Sequence, residues 1–252
     1  MPKTRLFIAT ALLSLSVLSA QAQTKLKAGY FGLAPYAMDV GGKASGFAVD
    51  LVREKFVPAT KIEVDFVSLP ILRMLGELEA GNLDMVVLLA KNPEREAKFL
   101  FAAAPFYTDA CALAVAKDSP LTTITGPADY AGKTVSINKG GYRCPSLAAA
   151  KDVTLDEMVV SDNLLEQLLR KAASGRVAGA HQPTKLAFQY VAQQIGIEAE
   201  VRFIDLPDPP QPLFAAFRKG IDPAIIAAYD KVNADAAADG SMAGFIGRYV
   251  KK

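Results

Sequence analysis

Eight short stretches in which apolar residues run together or alternate with polar ones read as strands: KLKAGYF, KIEVDFV, LDMVVLL, CALAVAK, KTVSINK, DEMVV, RVAGA and EVRFIDL. Between them, FAVDLVREKF, PILRMLGELEAG, NLLEQLLRKAASG and TKLAFQYVAQQIG carry apolar positions at helical spacing, and PAIIAAYDKVNADAAADG and SMAGFIGRYVKK add two helices at the end. Asp162 or Asn163 is the expected N-cap of NLLEQLLRKAASG, while Gly81, Gly175 and Gly196 stand where helices should stop. Strands and helices in alternation predict an α/β fold. The proline-rich run DLPDPPQPL, Asp205 to Leu213, reads as an extended connector. Repeats and low-complexity tracts are absent from the pattern.

The first residues follow another logic. Lys3 and Arg5 are followed by the apolar LFIATALLSLSVL and by Ala20-Gln21-Ala22, the three parts of an export signal, with cleavage expected after Ala22. The apolar run from Leu6 to Leu18 is shorter than the roughly 20 residues that a membrane-spanning helix needs. Residues 1–22 are therefore read as a signal peptide, and no cysteine opens the mature chain to take a lipid anchor.

Composition narrows the partners. With 51% hydrophobic residues over 252, the chain can bury a large core in one or two lobes. Losing Lys3 and Arg5 from 28 basic residues matches them to the 26 acidic ones, which argues against nucleic acid or an anionic membrane as partner. Cys111 and Cys144 are the two cysteines, and in an oxidising compartment an even count favours a bridge. The alternatives are a buried pair of thiols or a metal pair completed by His181, for which the spacing is a weak zinc signal.

The segment from Gly81 to Tyr107 carries the clearest candidate chemistry. GNLDMVV is followed by NPER and then FAAAPFY, so Arg95 lies just past a buried strand in a segment that starts at Pro93. A guanidinium in that position presents a planar fork to a carboxylate. A surface arginine pairing with Glu94 or Glu96 is the competing reading.

Taken in order, YFGLAPYAMDVGGKASGFAVDLV, LEAGNLDMVV, NPEREAKFLFAAAPFY, ADYAGKTVSINKGG and SDNLLEQLLRKAASGRV resemble the family 3 extracellular solute-binding proteins, over essentially the whole mature chain. The resemblance implies a two-lobed type II periplasmic binding protein, a Venus flytrap with two hinge crossings, that binds amino acids or related small acids for an ABC importer. The crossings would fall near Tyr107 to Ala112 and Phe203 to Phe214. Residues 23–108 and 208–252 would form a discontinuous first lobe and residues 109–207 the second, with ligand between them. The implied location is the periplasm, the implied state a monomer, and the implied partner an inner-membrane permease or, alternatively, a sensor receptor. No cofactor and no metal are implied.

By the same resemblance Arg95 matches the clamp for a ligand's carboxylate. Gly140 and Gly141 match a turn whose backbone amides meet that carboxylate, next to a helix start at Pro145 and Ser146. The chain departs from the family in reading GGYRCPS there, so Arg143 is either a second cation facing the cleft or a solvated loop residue. Where amino-acid binders carry an aspartate for the ammonium, this chain reads RVAGAHQPTK, placing His181 and Gln182 in that neighbourhood. A cationic His181 beside Arg95 and Arg143 would suit a dicarboxylate. Phe31 and Tyr36 are candidates to pack on the ligand or to belong to the core, and Arg73 either faces the cleft or is a helix-surface charge. Phe106 and Tyr107 are expected to pack at the hinge. Catalysis is not expected, because the dehydratases on this fold need a tuned acid or base and the nominal candidates, His181 and Glu157, lack a defined relation.

Overall fold

The computed structural model describes residues 25–159 and 163–250; the expected leader and Asp162 lie outside the described residues. Thirteen strands are seen: β1 (Lys25–Tyr30), β2 (Met38–Val40), β3 (Lys43–Ser45), β4 (Glu63–Ser68), β5 (Met85–Ala90), β6 (Leu100–Phe101), β7 (Tyr107–Asp109), β8 (Ala112–Ala116), β9 (Thr134–Asn138), β10 (Thr154–Met158), β11 (Gly179–Gln182), β12 (Val201–Asp205) and β13 (Gln211–Phe217). The helices among the described residues are α1 (Phe47–Leu51), α2 (Val57–Thr60), α3 (Ile71–Glu79), α4 (Pro93–Lys98), α5 (Pro145–Ala148), α6 (Leu164–Ala173), α7 (Lys185–Gln194), α8 (Pro223–Ala238) and α9 (Ser241–Gly247), with a π-helical stretch, Val52–Phe56, joining α1 to α2.

The strands sort into two larger sheets and a hairpin, β2–β3. The first sheet has the order β4-β1-β5-β13-β6, with β7 also on β13; the second has the order β10-β9-β11-β8-β12. In each, three parallel strands come first: β1 lies between β4 and β5, and β9 lies between β10 and β11. Antiparallel strands then complete the sheet. Every residue of β5 is buried, as its unbroken apolar run MVVLLA requires of a strand with neighbours on both edges and helices on its faces. The α3 helix seats Ile71, Met74 and Leu78 on one stripe, and α6 seats Leu164, Leu165, Leu168, Leu169 and Ala172.

The proline-rich run is less of a connector than its composition predicts. Asp205 ends β12, and Gln211 to Leu213 already belong to β13, which lies between β5 and β6 inside the first sheet. Pro212 stands opposite Thr108 at the end of that strand, where a missing N–H costs little.

The chain passes between the sheets twice. Ala110 and Cys111 link β7 to β8, residues 206–210 link β12 to β13, and Leu206 N–H donates to Cys111 C=O at 3.1 Å, so the crossings run side by side. Phe47, Phe106, Tyr36 and Tyr107 pack tilted or edge-on beside the first crossing. Tyr36 is wholly buried and its hydroxyl donates to Asp109 Oδ2 at 2.5 Å, which makes it a core and hinge residue and not a ligand platform. Asp109 also accepts from Leu186 N–H at 2.9 Å, at the start of α7, so one carboxylate ties the first sheet to the second. The last helices close on α1, where buried Asp50 accepts from the Tyr249 hydroxyl at 2.9 Å and Arg248 Nη1 at 3.2 Å.

Candidate functional site

Among the three parallel strands of each sheet the order reverses once, leaving a switch point between β1 and β5 and another between β9 and β11. The carboxyl ends of strands on either side of such a reversal diverge and leave a crevice. Both crevices contribute to one cavity. Its wall takes Phe31, Gly32 and Leu33 after β1, Ala90 and Arg95 at and after β5, Asn138, Gly141 and Tyr142 at and after β9, and His181, Gln182, Pro183 and Thr184 at and after β11. Leu88, Ile71, Leu164, Leu165 and Leu213 make the rest of the wall largely apolar. Its interior volume is about 40 Å³, room for a few waters, so a solute larger than that needs the lobes to part.

Arg95 is placed by its own helix start. Pro93 takes the first turn of α4, and the Asn92 side chain accepts from Arg95 N–H at 2.8 Å, an N-cap that fixes the direction of the following side chains. The guanidinium is buried, with Nη1 donating to Ala90 C=O at 2.9 Å and Nη2 to Gly140 C=O at 3.0 Å, across to the second sheet. Those bonds use two of its five N–H groups. Burial lowers its pKa, partly offset by Glu94 and Tyr142. Among the described residues no carboxylate makes a salt bridge with it, and Glu94 instead faces Lys98 at 3.9 Å.

The turn after β9 is close-packed. Gly140 has a φ of 76°, and a Cβ there would come within 2.2 Å of Leu72 Cδ2 from the other side of the cleft. Gly141 N–H donates to Asn138 C=O at 3.0 Å, so that amide serves the turn. Cys144 is bonded to Cys111 with Cα atoms 6.4 Å apart, which anchors the turn to the first crossing and removes both sulfurs from any zinc site. The helix start expected to offer donors to a ligand is already taken. Ser146 N–H and Oγ donate to the Asp208 carboxylate at 2.7 and 2.5 Å, so the chain supplies its own anion there.

His181 overturns the cationic expectation. It is 3% exposed, and burial, with the charge of Arg143 adding to it, lowers its pKa to about 3. Cys144 N–H donates to its Nε2 at 3.3 Å, which leaves the proton on Nδ1 of a neutral imidazole. Gln182 is buried beside it on the same wall, and Phe31 is half-buried there. Arg143 is exposed and borders an outer groove with Gly140, Glu157 and Arg95, not the inner cavity. Arg73 has a side chain 69% exposed, 3.7 Å from Glu77, and borders neither space. Glu157 faces Lys139 at 3.9 Å in the outer groove, apart from His181, so the nominal acid and base do not share the inner cavity.

The sequence from residue 27 to residue 252 matches the model of the bacterial extracellular solute-binding proteins, family 3. The chain belongs to that family. A Vibrio harveyi protein named as a proposed amino-acid ABC transporter-binding protein, PatH, is 32% identical over 135 residues, 53% of this chain and 53% of that protein. The match thus spans about half the length of that curated relative. Solved structures with the same fold include the amino acid ABC transporter substrate-binding protein AbpA of Streptococcus pneumoniae bound to L-arginine, with a TM-score of 0.74, 19% identity and coverage of 89% of this chain and 94% of that one. A histidine kinase sensor domain similar to periplasmic binding proteins gives a TM-score of 0.75 at 20% identity, covering 91% and 96%. The second Venus flytrap domain of Bordetella pertussis BvgS gives 0.74 at 16%, covering 90% and 93%. The family is one of binding proteins with two α/β lobes, as the two sheets and paired crossings here display. Among the described residues no helix is long and apolar enough to cross a membrane.

Several lining residues escape a reading of the sequence. Tyr142 sits inside GGYRC, where the arginine draws attention, and yet the tyrosine is the residue that borders the inner cavity. Asn138 and Thr184 stand at strand ends, a position that flags them once the strand order is known. Leu164 and Leu165 carry the same apolar signal as the residues of α6 that pack into the core.

Proposed function

We propose that this chain is an exported solute-binding protein that captures a small carboxylate-bearing solute between its lobes for an ABC importer, acting in the periplasm as a monomer. One observation carries the reading: Arg95, buried at the carboxyl end of β5, faces the inter-lobe cavity with no described carboxylate paired to it. A cation in such surroundings has donors left for an incoming anion, and the bidentate bond it offers is worth more there than at the surface. We assign residues 23–108 and 208–252 to the first lobe and 109–207 to the second, with solute contacts that only the closed arrangement completes driving the hinge. Phe31, Gly141, Gln182 and His181 line the receiving wall, and Gly140 contributes the tight turn opposite Leu72.

The test uses purified protein unfolded and refolded to strip any solute, then screened by thermal shift against amino acids and organic acids. An acid that raises the melting temperature of the wild type but not of Arg95→Gln, with circular dichroism unchanged, supports the reading. Retention of the full shift in Arg95→Gln removes it. The fold similarity to a histidine kinase sensor domain and to BvgS favours one second reading, a sensing subunit for a membrane receptor. Uptake of labelled solute by cells lacking the gene decides between them: lost uptake means transport, and normal uptake with lost response means sensing.

A further inference from the structure

We infer that the solute is a monocarboxylate with an apolar body and no ammonium group, held by its carboxylate at Arg95 and by its hydrocarbon part against Phe31, Leu33, Leu88, Leu165 and Leu213. This deepens the function proposed above and rests on it.

The argument begins with the polar end of the cavity. Arg95, the neutral His181 and the amide of Gln182 all border it, and the first two offer N–H donors: the guanidinium N–H groups left over from Ala90 and Gly140, and imidazole Nδ1–H. Such a group of donors suits an acceptor-only carboxylate. Much of the remaining lining is hydrocarbon from both lobes, with Phe31, Leu33 and Leu88 from the first and Leu164 and Leu165 from the second. Burying an alkyl or aryl group there gains about 25 cal/mol for each Å² removed from water.

An α-ammonium needs an anion in the same space. Two described carboxylates send charge to the titratable lining residues Arg95 and Tyr142, and each is already engaged. Asp208, whose charge reaches Tyr142, accepts from Ser146 N–H and Oγ, and Glu94, whose charge reaches Arg95, has a side chain 79% exposed beside Lys98. An ammonium seated in the cavity would be desolvated against leucines and a neutral imidazole, which is costly. A second carboxylate on the solute meets the same difficulty. Arg143 and Arg73, the other two arginines considered for the cleft, lie in the outer groove and on the exposed side of α3, respectively.

Isothermal titration of the stripped, refolded protein with matched probes tests this. The probes are 4-methylpentanoate and 3-phenylpropanoate, their α-amino counterparts leucine and phenylalanine, the dicarboxylate glutarate, and the neutral 4-methylpentanamide. The expected result is that at least one of the two monocarboxylates binds at least tenfold more tightly than its amino acid and than glutarate, and that the preference over the amide disappears in Arg95→Gln. Leucine, phenylalanine or glutarate binding more tightly than the monocarboxylates overturns the inference while leaving a carboxylate-binding protein in place. Amide and acid binding equally, in wild type and in Arg95→Gln alike, overturns the underlying function as well, as does a blank panel.

Discussion

Reducing the Cys111–Cys144 bond should lower the melting temperature of this protein by a predictable amount. The two residues are 33 apart in sequence, and both are buried against the second sheet beside the first crossing. Closing a loop of that length removes chain entropy from the unfolded state worth about 3.7 kcal/mol. For a protein of this size each kcal/mol moves the midpoint by roughly 2–4 °C, so the expected fall is roughly 7–15 °C. The assay is thermal unfolding followed by circular dichroism for three samples: oxidised wild type, wild type reduced in the unfolded state and kept reduced, and Cys111→Ala/Cys144→Ala. Alkylation and mass measurement establish the oxidation state of each. Reduced wild type and the double variant should agree within a few degrees, because both lack the same cross-link. A verified disulfide whose removal shifts the midpoint by less than about 2 °C would refute the reasoning, since it would mean that the cross-link leaves the unfolded chain as free as before.

Three other outcomes follow from the site. Burial holds His181 at about 3, against about 6.5 in an unfolded chain, so the unfolded state carries the extra proton between those values; stability is whole above pH 6.5 and falls toward pH 3 by up to about 1.4 kcal/mol per pH unit. Urea midpoints should therefore drop more between pH 7 and pH 4.5 in the wild type than in His181→Gln, and equal drops count against a buried neutral imidazole. Gly140→Ala pays about 1–2 kcal/mol for a left-handed backbone and adds a clash with Leu72, so solute affinity by titration should fall tenfold or more; Leu72→Ala should recover the steric part only, and no recovery would mean that the two residues do not meet on closure. Asp208→Ala strips the acceptor from Ser146 N–H and Oγ and should cost about 1–2 kcal/mol in urea unfolding, whereas a loss below about 0.3 kcal/mol would show that the pair contributes nothing.

The elements with strong local signals were legible. LDMVVLL becomes β5, NLLEQLLRKAASG becomes α6, and Gly81, Gly175 and Gly196 follow the last turns of α3, α6 and α7, because periodicity and stop residues act over a few positions. By contrast, β13 was hidden behind prolines that composition assigns to a linker, and what makes it a strand is its partners β5, β6 and β7, distant in the chain. The β2–β3 hairpin was missed because Asp39 and Lys43 flank its glycine turn with polar residues and little apolar alternation. Arg95 could be picked out by its place after a buried strand, but its bond to Gly140 C=O spans 45 residues and leaves no local trace. The charge of His181 depends on burial and on the charge of Arg143, neither of which the residue's identity reveals. Likewise, nothing near Ser146 in the chain announces that Asp208, 62 residues on, will occupy its donors.

The position of β13 bears on the order in which the molecule can be assembled. The second sheet is made from one continuous stretch, from β8 to β12, and has all its strands once residue 205 has been synthesised. The first sheet has a slot in its middle, between β5 and β6, that stays unfilled until residue 217 is available. Until then β5 presents an unpaired edge, α1 lacks α9 and the π-helical stretch Val52–Phe56 lacks α8. A nascent chain would therefore hold a finished younger lobe and an unfinished older one, the reverse of the usual N-terminal-first sequence. Late completion of the first sheet leaves a sticky strand edge that must be shielded while the rest is made.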